Sequence, residues 1–277
     1  MADPILNDKS LAQARAGWAA PRAPSRGGDV WAPPTPGRVD DGPVTAWKGA
    51  MTMQGTISAT LVLFALLLVS ATFGWLAVDE TVGIDGERQL EFPSFAIVGV
   101  AVGFGCVIAL MFRPQWAKIL GPVYSLGFGF TVGAVSKAYE TMFDGIVLQA
   151  VGATLGVFVV MLTLYRTRII RVTERFRKIV VFATLGVMAF YLVSFVMRLA
   201  GANITFFDEP NAVGFLFSIG VSVLAALNLL LRFDFIEKGT QMGLSKDFEW
   251  YAAFGLMVTI VWLYLELLRL LARLQQR

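Results

Sequence analysis

Seven apolar runs, at about 56–78, 95–112, 119–135, 145–164, 179–200, 212–236 and 251–272, leave this chain few ways to fold. A bilayer core about 30 Å thick takes about 20 helical residues, and most of the runs reach that or fall a turn short. The third is the shortest. The runs are continuous rather than alternating, and lipid offers no partner to an unpaired backbone group, so they are expected to be spanning helices. Composition agrees, since 56% of the 277 residues are hydrophobic and only 16% are charged. The fold expected is all-α: a polytopic membrane protein with a seven-transmembrane-helix bundle over residues 51–277. Residues 1–50 contain PRAPSRGGDVWAPPTPGRVDDGP, without an apolar period, and should form a disordered cytoplasmic tail. No contiguous apolar core stands near its start, so a cleavable signal is not expected.

Loop charges give an orientation. The ends of runs two, four and six and the segments after them hold eleven Lys and Arg residues, six of them from Arg166 to Lys178, whereas the ends of runs one, three and five and the segments after them hold Arg88, Lys137 and Arg198. The first set should face the cytoplasm, which puts the N-terminus inside a plasma (inner) membrane and the C-terminus outside. Arg269, Arg273 and Arg277 weigh against an outside C-terminus, and a re-entrant last segment would reverse it. The net charge of +3 needs no more than these loops, so the lipid bilayer is the expected partner and nucleic acid is not.

The chain has no histidine, which removes imidazole bases, histidine metal ligands and histidine pH switches. Cys106, the single cysteine, lies in an apolar run and cannot form an intramolecular disulfide. There is no GxSxG elbow and no Walker A sequence. Neither an enzyme nor a cofactor is expected. Small residues four apart, Gly99 and Gly103, Gly129 and Gly133, Gly152 and Gly156, have the spacing that lets membrane helices approach closely.

Charges inside the apolar sequence carry the functional question. Run six ends in LNLLLRFDFIEKG, with Arg232 and Asp234 two residues apart, and run seven reads WLYLELLRLL, with Glu266 and Arg269. Asp234 could be a helix-end acid paired with Lys238 at i+4. Glu266 lies sixteen residues after Trp250, roughly 24 Å along a helix, where an unpaired carboxylate is costly. Either Arg269 at i+3 neutralises it or it faces another polar group inside the bundle. Counted from Gly239 and Trp250, the two acids fall at different depths.

FDFIEKG, WLYLELLRLL and GIVLQAVGATLGVF, the last opening run four, resemble the Bax inhibitor-1/YccA-like family, also called the transmembrane Bax inhibitor motif family. The likeness covers about residues 51 to 274 and leaves out the tail. It implies a pH-sensitive calcium or cation leak channel, gated by an acid on span six and an acid on span seven that share a proton, with an arginine after span two joining them in the closed state. Carried over, these are Asp234, Glu266 and Arg113, with transient calcium contacts at the two acids, while helix spacing offers Arg269 and Lys238, and nearness in sequence Arg232, as local partners. Two carboxylates in a low-dielectric site cannot both ionise cheaply, so such a pair holds a proton, closes when protonated and opens when it is lost. The resemblance also implies an alternative, a membrane-embedded regulator without transport activity that binds other membrane proteins such as a quality-control protease.

Overall fold

The computed structural model describes residues 49–82, 88–91, 94–199 and 212–276. The tail expected over residues 1–50 lies outside them except for its last two positions. Seven helices follow in order: α1 (Met53–Leu76), α2 (Ser94–Phe112), α3 (Ala117–Met142), α4 (Ile146–Arg166), α5 (Glu174–Leu199), α6 (Ala212–Gln241) and α7 (Asp247–Gln275). Each coincides with one apolar run. Six are long and apolar enough to cross a membrane, and the apolar part of α2, Val98–Phe112, is shorter. The third span was expected to be the shortest, yet α3 has 26 residues, because the helix continues through the polar stretch SKAYETM. The connection after α1 departs from an all-helical chain, since β1 (Asp79–Val82) pairs antiparallel with β2 (Arg88–Glu91).

A helix that is apolar all round has no preferred face, so packing decides which residues are enclosed. The enclosed helix is α7, which packs on α1, α3, α4 and α6. Its Ala253, Met257, Leu263 and Leu268 are fully buried. Between α1 and α3 the backbones touch. A Cβ at Gly133 would overlap the carbonyl of Ala71, one at Gly74 the carbonyl of Phe130, and one at Gly129 would lie 2.7 Å from the carbonyl oxygen of Leu67. Gly99 and Gly103 likewise face α3, at Gly127 and Phe128. The third glycine pair does not do what its spacing suggests, because Gly152 and Gly156 have open space where a Cβ would stand.

One end of the bundle, here its base, is where α1 begins and α6 turns into α7. Thr52 caps α1 and accepts a hydrogen bond from Gly55 N at 3.0 Å. Glu249, buried near the start of α7, accepts from Thr52 N at 2.9 Å and from Thr52 Oγ1 at 2.8 Å. In a capping box the third helical residue supplies that carboxylate. Here that residue is Gly55, and the Glu249 carboxyl occupies the space its side chain would take. The box is thus completed from a helix distant in sequence. Glu249→Ala should lower stability by about 1.5 to 3 kcal/mol, the range for hydrogen bonds to a charged group. Thermal unfolding in detergent checks this, and an unchanged midpoint would mean the cap contributes nothing.

Candidate functional site

Asp234 is 6% exposed, on the face of α6 that α5 covers. Its Oδ2 accepts from Arg177 Nη2 of α5 at 2.7 Å and from Lys238 Nζ, one turn on, at 2.9 Å. Two cations therefore converge on one carboxylate oxygen. A buried carboxylate needs such compensation, since removing it from water uncompensated costs several kcal/mol. Arg113, which the family resemblance joins to this acid, is exposed between α2 and the short 3-10 turn Pro114–Trp116. It bonds to neither acid, and Arg177 occupies the position expected for it.

Glu266 is 2% exposed and collects a different set of donors. Arg269, one turn on, donates from Nη1 to both carboxylate oxygens at 3.2 Å. Tyr191 of α5 donates its hydroxyl to Oε1 at 2.9 Å, and Trp262 Nε1 lies 3.3 Å from the same oxygen. Arg269 Nη1 also donates to Tyr191 Oη at 2.8 Å, and its guanidinium stacks over the Tyr191 ring at 5.4 Å. Both remedies foreseen for Glu266 are used together: it pairs with Arg269 and faces a polar group of another helix.

The two acids do not meet. Arg177 and Tyr191, their respective partners on α5, are fourteen residues apart, about 21 Å at 1.5 Å per residue. On the other side, Arg232 of α6 bonds Thr259 of α7. From that level Asp234 lies two residues toward the base and Glu266 seven residues away from it, about 13 Å in all. Both separations along the helices are several times the length of a hydrogen bond. A shared proton requires direct contact, so the arrangement contains two separate ion-pair sites in place of one dyad. The depths counted from the sequence account for this.

Between the acids the seam remains polar. Asn228 of α6 donates to Thr184 Oγ1 of α5 at 2.8 Å, and Arg232 Nε donates to Thr259 Oγ1 at 3.1 Å. On α5 the contacting residues are Arg177, Thr184 and Tyr191, seven apart, which places them on one stripe. Much of that helix faces outward, with Ile179, Phe182, Leu185 and Leu192 all exposed, while Val180 is buried and Phe190 packs edge-on against Phe217. Thr184, Tyr191, Asn228 and Thr259 are not among the residues the sequence points to. Their signal was available as polar residues at heptad spacing in an apolar run. Arg177 had been counted among loop charges, although it stands in the first turn of α5. Among the described residues no three His, Cys, Asp or Glu side chains could hold a metal ion together. A calcium ion reaching Asp234 or Glu266 would meet a carboxylate already bonded to a cation.

No curated protein matches the chain in sequence. The family described as Bax inhibitor 1 like matches residues 3–276, so the likeness takes in the tail that the resemblance had left out. An integral membrane bundle with that match over nearly its whole length belongs to the Bax inhibitor 1 like family.

Proposed function

We propose that this protein is a pH-sensitive leak for cations, calcium among them, with its path along the seam between α5, α6 and α7. The observation that supports the reading is the row of polar side chains through the spanning region, from Asp234 past Arg232 and Asn228 to Glu266. Intramembrane ionisable residues are costly, and they typically line ion or proton pathways. The apolar faces of α5 lie in lipid, which provides no hydrophobic force to press one helix on another. What ties α5 to the bundle is therefore the stripe of hydrogen bonds and ion pairs together with the close packing of side chains such as Val180 and Phe190. The protein acts in this reading as a transport protein rather than an enzyme, with its base in the cytoplasm as the loop charges indicate.

Separate ion pairs reverse the sign of the pH response implied by a proton-sharing dyad. Protonating Glu266 removes the charge that holds Arg269 and weakens the bond from Tyr191; protonating Asp234 releases Arg177. Both changes loosen α5, so acid opens the seam and neutral pH keeps it closed. Calcium entry into proteoliposomes, followed with a trapped dye, should rise as the buffer is taken from neutral to acidic. A flux that falls on acidification would restore the dyad's sign and refute this gating. Absence of flux at every pH would leave the alternative, a regulator that binds other membrane proteins such as a quality-control protease.

A further inference from the structure

Arg232 stands apart from the other charges of the seam. Its guanidinium reaches across to α7, where Nε donates to Thr259 Oγ1, and Nη1 is 3.0 Å from where a Cβ on Gly255 would stand. The Thr259 hydroxyl is already committed as a donor to the carbonyl of Gly255 at 2.8 Å, so it presents its lone pairs to Arg232. A neutral dipole thus holds the guanidinium without neutralising it. Among the described residues no carboxylate lies within ion-pair distance of Arg232. Asp234 is bonded to Arg177 and Lys238, and Glu266 to Arg269. Arginine remains protonated in proteins, so the charge cannot be shed. Retaining an uncompensated positive charge at this depth is expensive, and intramembrane charges kept at such a cost typically mark ion pathways.

We infer that Arg232 is the electrostatic barrier of the leak, a fixed positive charge pinned by Thr259 between the two acid sites, past which any cation must move. The inference rests on the leak reading above. Coulomb repulsion scales with the product of the charges, so the barrier for a divalent ion is twice that for a monovalent one in energy and its square in rate. A role in packing alone would not distinguish the ions.

The test compares K+ and Ca2+ fluxes in proteoliposomes of the full chain at an acidic pH, where the seam is open. Arg232→Gln should raise K+ flux on the order of tenfold and Ca2+ flux by about the square of that, on the order of a hundredfold. Arg232→Lys, which keeps the charge, should stay near wild type. Thr259→Val keeps the charge but unpins it, and should give a smaller gain of the same sign and the same preference for Ca2+; it serves if Arg232→Gln does not fold. Equal gains for both ions would mean general loosening and overturn the inference. So would unaltered flux of both ions in Arg232→Gln at an acidic pH where wild type conducts. If wild type and every variant conduct nothing, the leak reading itself fails and takes this inference with it.

Discussion

Gly133→Leu and Gly74→Leu should each abolish recovery of folded protein. At both positions the obstacle is the backbone of the facing helix, the carbonyl of Ala71 for one and of Phe130 for the other. A side chain can turn aside, but a helix backbone can yield only if α1 and α3 part. Overpacking in a core costs about 1 to 3 kcal/mol when side chains adjust, and a displaced helix exceeds that; about 4 kcal/mol or more is expected here. Size-exclusion profiles and melting in detergent give the comparison, with Gly152→Leu and Gly156→Leu as controls. Those two face open space and should behave as wild type. Normal yields from the Gly133 and Gly74 variants would show that the close approach of α1 and α3 is not required.

Removing the Glu266 side chain comes next in size. Glu266→Ala leaves Arg269, Tyr191 and Trp262 without their common acceptor, and a loss of about 2 to 4 kcal/mol follows from breaking a mostly buried pair. Partial exposure of Arg269, 39% of its side chain, sets the value below that of a fully buried ion pair. A double-mutant cycle separates the two acids. Asp234→Asn and Glu266→Gln should add within about 0.5 kcal/mol, as sites more than 10 Å apart do. Glu266→Gln with Tyr191→Phe should instead couple by about 0.5 kcal/mol or more, since those groups are bonded. Coupling above about 1 kcal/mol between Asp234 and Glu266 would demonstrate the proton-sharing pair that this conformation lacks.

The helices were legible in the sequence because bilayer thickness and backbone satisfaction constrain length and composition strongly. The local ion pairs were legible too. Lys238 follows Asp234 by four residues and Arg269 follows Glu266 by three, and helix geometry brings such neighbours together whatever the tertiary fold. The partners across helices were not. Arg177 and Tyr191 meet their acids only through the packing of α5, and no local rule says which of six basic residues in a loop-proximal segment turns inward. The glycine pairs show the same division. Gly129 and Gly133 share a spacing with Gly152 and Gly156, yet one pair meets a backbone and the other meets nothing. Spacing states which face a residue is on, and only the neighbouring helices state what that face touches.

The cap on α1 also orders events in time. Thr52 emerges from the ribosome 197 residues before Glu249, the carboxylate that completes its cap. At about 5 to 20 residues per second, the first helix waits on the order of 10 to 40 seconds for it. Throughout that interval the backbone N–H of Thr52 must find water or headgroup oxygens instead. The start of the first helix can reach its final state only after the last helix has entered the membrane. A chain halted before α7 therefore leaves the start of α1 without the acceptor that completes its cap.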